Sequence, residues 1–378
     1  MSTATAVAAV TVPFVTVTLC AAPAMTRPTV PFGVRVPPGR ARATVIRQQR
    51  RAYFRRTAAV GACCTLAVLL LRGHGSWWLA RLILLLGGHG PWWLTRIIAL
   101  LVVAADFGCF WIARNKITAV KHAERWYAGH RQVVATDTSW RADPPRFPVH
   151  WLIPALIVIA ATVIVGVVRY PDLPARLAVG FGRRGAPKSI VSAFGIVAGQ
   201  LWVTLLWTGM MLIVYRSRPD IESADAAAST RRYRRFLAAF TRAVLTLVAL
   251  VDLTLLLAAL HTWQVYRLSG SGSALPVLPF AAGLLILVVV TLRTGQGGFR
   301  LSGGSAGYGP AAGTDRDDDR FWKAGLIYRN RDDPAILVGA RFGVGWTFNV
   351  ANPMSWLIIA GIVAVPAGLA AISAAAGL

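Results

Sequence analysis

The chain has 378 residues, of which 56% are hydrophobic and only 15% charged, and 40 Lys+Arg stand against 15 Asp+Glu for a formal charge of +25. Soluble domains carry about 25% charged residues. So apolar a chain is excluded from disorder, and also from soluble nucleic-acid binding, where basic residues lie on a polar surface. What remains is an all-α polytopic membrane protein whose positive charge is gathered into loops.

A spanning helix needs about 20 predominantly apolar residues, and eight segments qualify: about 3–25, 57–72, 92–113, 150–168, 192–215, 242–263, 274–292 and 353–376. A cleaved secretory signal would need a basic n-region. Here the first basic residue is Arg27, after the apolar run, so 3–25 reads as a retained first helix. The second span is the shortest, and Arg72 at its end can snorkel to the interface. Next comes a tandem repeat, GHGSWWLARLILLLG (73–87) and GHGPWWLTRIIALLV (88–102). It reads as a short duplication lengthening an outer loop. The alternative, a ligand pair His74 and His89, lacks the further ligands of a metal site.

Loop charge sets the orientation. Residues 26–56, 113–150, 216–242 and 293–355 hold 31 of the 40 Lys+Arg, and the alternate loops 72–91, 169–192 and 264–273 hold eight. The expectation is a bacterial plasma-membrane protein with both termini outside. Trp77, Trp78, Trp92, Trp93, Trp151, Trp263 and Trp356 fall near span ends, the headgroup level that indole favours. Cys20, Cys63, Cys64 and Cys109 lie inside apolar spans without ligand spacing and read as small apolar fillers.

Residues 1–292 thus form a transmembrane region, with 169–191 as an outer loop. A Gly/Ser-rich stretch at 293–313 reads as a flexible linker. Residues 314–351 read as a small cytoplasmic hairpin-like module, in which Asn330, Asp332, Asp333 and Pro334 make a turn between the strand-like LIY and AILV, with GVGWTFNV as a further strand.

Ionisable groups inside a membrane are costly and usually face a bundle interior. Asp106 in the third span and Asp252 in the sixth are therefore candidates to bind a proton or cation. The competing reading is structural: each is hydrogen-bonded to a Thr, paired with an Arg, or held neutral by a desolvation-raised pKa, and Thr241, Thr246 and Thr254 lie near Asp252 on the sixth span. Gly195 and Gly199 have the GxxxG spacing that allows close helix approach, read as packing within the chain, with dimerisation as the alternative. Arg183, Arg184 and Lys188 place positive charge on the outer loop, where the orientation rule does not ask for it, and suit an acidic or zwitterionic extracellular partner. No zinc-protease, nucleophile-elbow or Walker A pattern occurs, so the reading is non-enzymatic, with no cofactor, no metal and no nucleic acid.

The outer loop YPDLPARLAVGFGRRGAPKSI resembles the extracytoplasmic segment of SdpI-like, bacteriocin-immunity-type membrane proteins. It keeps Tyr170, Leu173, Pro174, Leu177, Phe181, Gly185 and Pro187 at matching spacing. It departs at Ala178, Gly180 and Lys188, where the family has Pro, His and Asp. VPFGVRVPP (Val30–Pro38) is similar to a segment of proteins carrying this loop. The C-terminal patch resembles a small domain of unknown function found at the end of such proteins, through Trp322, Gly325, Tyr328, Asn330, Asp333, Pro334, Arg341, Gly343, Gly345, Trp346, Thr347 and Asn349. The resemblance implies an immunity or envelope-sensing role in which the outer loop engages a peptide and 314–351 relays to a cytoplasmic regulator. A proton- or cation-coupled transporter using Asp106 and Asp252 is the second expectation, and a membrane enzyme the third.

Overall fold

The computed structural model describes residues 15–73, 92–127, 134–136, 144–177, 186–217, 220–221, 226–266, 275–301, 313–314, 316 and 318–375. Among them are helices α1 (Val15–Met25), α2 (Thr44–Gly73), α3 (Trp92–Ala123), α4 (Ile153–Arg169), α5 (Ile190–Arg216), α6 (Ala226–Thr262), α7 (Leu278–Thr294) and α8 (Pro353–Ala375). The strands are only two or three residues long: β1 (Val134–Thr136), β2 (Arg176–Leu177), β3 (Ala186–Pro187), β4 (Asp220–Ile221), β5 (Gly313–Thr314), β6 (Trp322–Lys323), β7 (Ile327–Tyr328), β8 (Leu337–Gly339) and β9 (Trp346–Phe348). The protein is mostly helical.

Among the described residues, four helical segments are long and apolar enough to cross a membrane: Val149–Arg169, Ala193–Arg216, Ala228–Thr262 and Leu275–Gly298. Large apolar side chains such as Ile157 and Ile164 on α4, Leu205 on α5 and Leu285 on α7 face outward, a surface suited to lipid rather than water. Of the remaining expected spans, the described apolar parts Val15–Met25 and Pro353–Gly368 are shorter. Helix α3 carries Asp106, Arg114, Lys116 and Lys121. The start of the 3–25 span, and His74 and His89 of the repeat, lie outside the described residues.

The chain divides into two compact units: 1–135 with 308–327 and 339–345, and 136–307 with 328–338 and 346–378. In the first, α2 packs on α3, and the extended segment after α1 drives Phe32, Val34 and Val36 into their shared core with Ile46, Tyr53, Phe110 and Ile117. Phe32 meets the ring of Tyr53 edge-on at 5.2 Å and stacks on Phe342 at 5.8 Å. Its neighbour Gly33 has φ +72°, and a Cβ there would lie 2.4 Å from the carbonyl oxygen of Gly325. That approach accounts for the glycine in VPFG.

In the second unit α6 is the central helix, packed by α4, α5 and α7. Its 37 residues span about 55 Å at 1.5 Å per residue. This exceeds the roughly 30 Å of hydrocarbon, so the basic Arg231–Arg235 turns extend beyond the apolar stretch.

Four features differ from the sequence reading. A Cβ at Gly195 or Gly199 would meet nothing within 4 Å, so among the described residues this GxxxG pair brings no helix of the chain close. The close crossing is instead at Gly166, where a Cβ would lie 2.7 Å from Phe194 and 2.9 Å from Trp263. Trp263 itself is buried, donating Nε1–H to the carbonyl of Ala193 at 3.3 Å, and so packs helix against helix rather than marking the headgroup level. Residues 293–301 of the expected linker are folded: Gln296 and Gly298 are buried in a 3-10 turn, with Gly298 against the Arg232 carbonyl. Last, LIY and AILV do not pair with each other. Strand β7 pairs with β6, and β8 with β9, because the intervening turn is held by side chains.

Candidate functional site

Helix α6 carries Asp252 fully buried, and its partners come from α4 and α5. Thr204 donates its hydroxyl to Asp252 Oδ2 at 2.8 Å. Gln200, one turn earlier on α5, donates Nε2–H to the backbone carbonyl of Asp252 at 2.9 Å and to Thr162 Oγ1 of α4 at 3.0 Å. Gln200 and Thr162 are fully buried, and Thr204 nearly so. Residues four apart share a helix face, which is why Gln200 and Thr204 reach the same carboxyl-bearing turn. The threonines of α6 are occupied elsewhere: Thr241 donates to Met211 Sδ, Thr246 to the Arg242 carbonyl and Thr254 to the Leu250 carbonyl. Asp252 is thus hydrogen-bonded to a threonine, as the structural reading has it, but Thr204 lies on α5 and not on α6.

Asp106 belongs to the other unit. It is buried on α3, with Thr57 of α2 beside it and neither carboxylate oxygen hydrogen-bonded. Asp106 and Asp252 belong to different compact units.

The outer loop is built on the second unit. Leu173 and Leu177 are buried against Ala193, Ala259 and Trp263, with Tyr170 packed at the edge. Strand β2 pairs antiparallel with β3, Arg176 opposite Pro187 and Leu177 opposite Ala186. Lys188 closes the stem, donating Nζ–H to the carbonyls of Pro171 (3.0 Å) and Leu173 (3.2 Å), 5.0 Å from the Tyr170 ring. Its ammonium is thus engaged within the loop stem. Phe181, Arg183, Arg184 and Gly185 lie outside the described residues.

The C-terminal motif residues fall into two constellations. In the second unit, Tyr328 donates its hydroxyl to Asp333 Oδ2 at 3.0 Å, while Asn330 donates Nδ2–H to Tyr328 Oη. The fully buried Asn349 donates Nδ2–H to the carbonyls of Asn330 (2.8 Å) and Asp333 (2.9 Å) and accepts from the Asn330 amide. Pro334, lacking an N–H, follows without disturbing that knot. Trp346 packs edge-on against Phe240 at 5.4 Å.

In the first unit, the buried Arg341 donates Nη1–H to Asp319 Oδ1 (2.5 Å) and to the Gly33 carbonyl (3.1 Å), its guanidinium 4.6 Å from the Trp322 ring. Lys121 at the end of α3 also donates to Asp319, on Oδ2 at 2.5 Å. Burial alone would raise the Asp319 pKa, but Arg341, Lys121 and the Arg35 amide together hold it below the usual carboxylate value. For Lys121 burial wins and lowers the pKa, Asp319 restoring only part of it. We therefore assign the favourable part of this cluster to Arg341–Asp319. Gly325 has φ +71° and faces the Arg114 guanidinium, and the Gly343 amide donates to Thr26 Oγ1 at 2.8 Å.

Sequence reasoning missed Gln200, Thr204 and Thr162 around Asp252, and Asp319, Lys121 and Arg35 around Arg341. The one available signal was the four-residue spacing of Gln200, Thr204 and Thr208 on an otherwise apolar helix. Among the described residues no cluster of three or more His, Cys, Asp or Glu is placed to hold a metal ion.

Neither curated proteins nor solved structures give a match to the chain. A model of a family of unknown function, DUF5808, matches residues 331–356, the stretch from the Asp333 turn through Arg341 and Asn349 to the start of α8.

Proposed function

We propose that this is a non-enzymatic, eight-span protein of the bacterial plasma membrane with both termini outside, acting in immunity or envelope sensing like the SdpI-like proteins its outer loop resembles. The observation that carries the reading is the stem of that loop. Leu173 and Leu177 root it in the helix core, and Lys188 ties its two arms together. A rooted stem suits a segment that presents the intervening Phe181, Arg183 and Arg184 to an extracellular peptide. The 314–351 region, with its Arg341–Asp319 pair and its Tyr328–Asp333–Asn349 network, suits a relay to a cytoplasmic regulator.

The test is membrane potential in wild-type and deletion cells exposed to the organism's own spent medium. Depolarisation confined to the deletion strain, and rescued by the gene but not by a version lacking 170–188, is the expected outcome. Rescue by the loopless version would remove the loop from the mechanism.

A second reading, ion-coupled transport, is favoured by one specific observation: the fully buried Asp252 with polar partners from two neighbouring helices.

A further inference from the structure

The hydrogens that the described side chains bring to Asp252 can be counted. Thr204 spends its hydroxyl hydrogen on Asp252 Oδ2. Thr162 spends its own on the Val158 carbonyl at 2.8 Å. Gln200 spends its two amide hydrogens on Thr162 Oγ1 and on the Asp252 carbonyl. Because Thr162 is already donating and a carbonyl can only accept, the amide of Gln200 must point its nitrogen this way. Two buried acceptors then have no partner, Asp252 Oδ1 and Gln200 Oε1. Thr208, one turn beyond Thr204, makes no hydrogen bond and spends nothing on the carboxyl.

The cluster is therefore short of positive charge, and among the described residues no side chain on the elements packed around it supplies it. On the helices packed against α6, the charged groups are terminal: Arg169 ends α4, Arg216 ends α5 and Arg293 lies next to the end of α7. His150 and Asp220 lie on the short elements that precede α4 and α6. On α6 itself Arg242 and His261 are about 15 and 13 Å away along the axis. An ionised carboxylate buried without a partner costs several kcal/mol. An oxygen-bound metal ion would want about six ligands, and two bare oxygens are too few.

We infer that the ligand of this site is a single proton, carried on Asp252 Oδ1 and directed to the bare Gln200 Oε1. One proton turns Oδ1 from an unpartnered acceptor into a donor, gives Gln200 Oε1 a hydrogen to accept, and cancels the charge. The inference rests on the ion-coupling reading above and names its ion.

Infrared spectra of the full-length protein in lipid nanodiscs test it. A protonated carboxylic-acid carbonyl band that moves in D2O is expected in the wild type and in Asp106→Asn. It should be absent in Asp252→Asn, and shifted to higher frequency in Gln200→Leu, where its hydrogen-bond acceptor is gone. Should Asp252→Asn fail to fold, Asp252→Glu must displace the same band. A wild-type spectrum with no band assignable to Asp252, or a band bleached by sodium but not by choline, overturns the inference. Proton- and sodium-gradient-driven fluxes in liposomes separate the two ideas. The band without any flux keeps the proton site and removes coupled transport. Sodium-driven flux without the band removes the proton and leaves transport standing.

Discussion

Asp319 carries more than its share of the first unit, because it receives a buried guanidinium, an ammonium and a backbone amide. Removing its charge deprives the buried Arg341 of its carboxylate partner, and breaking such a pair costs roughly 3 kcal/mol. We expect Asp319→Asn to lower the thermal midpoint of the purified protein clearly. Arg341→Lys should follow it, since a point charge cannot bridge two acceptors while lying flat on an indole. The sign of the pH effect follows from the depressed pKa of Asp319. Its ionised form stabilises the fold fully above the unfolded value of about 3.9, and that contribution disappears as pH falls through the lower folded value. The gap in midpoint between wild type and Asp319→Asn should therefore narrow between about pH 5 and pH 3. A gap that stays constant over that range would show that the charge of Asp319 is not what the unit uses.

At the scale of elements, the glycines separate helices that touch from helices that do not. Gly166→Ala on α4 must push Phe194 or Trp263 aside, and overpacking of this kind costs about 1–3 kcal/mol. Gly195→Ala and Gly199→Ala on α5 enter open space and remove a residue that disfavours helix, a gain of roughly 0.5–1 kcal/mol each. Denaturant titration of the three variants should give opposite signs. Loss of stability at Gly195 would mean that its open face is covered in the membrane. The contrast also marks what the sequence could reveal. Periodicity and charge exposed the apolar helices, Asp252 and the motif residues Tyr328, Asp333, Arg341 and Asn349, since those are local signals. It did not expose Thr204 for Asp252 or Asp319 for Arg341, because partners 48 and 22 residues away are fixed by which helix faces meet. The GxxxG spacing misled for the same reason: a spacing states that close approach is permitted, and only packing decides where it happens.

For the whole molecule, the decisive quantity is the side of the membrane on which each loop lies. Between the outer-loop stem and the Asp333 turn lie three segments long and apolar enough to span, in α5, α6 and α7. We expect all three to cross, which would place those two regions on opposite faces whatever the number of spans before them. The loop charges then choose the faces, since 216–242 and 293–355 hold seven and eight Lys+Arg against five in 169–192 and one in 264–273, and basic loops stay cytoplasmic. Asp172 and Asp332 are both exposed, so a cysteine at either is open to reagent. In a variant with the four native cysteines replaced by alanine or serine, Asp172→Cys should react with a membrane-impermeant maleimide in intact cells. Asp332→Cys should react only after permeabilisation. The reverse pattern would invert the orientation and put the resemblance-bearing loop in the cytoplasm, where it can meet no extracellular peptide. Labelling of both in intact cells would mean that one of the three helices does not cross, and α5, which carries Gln200, Thr204 and Thr208, would be the first to re-examine.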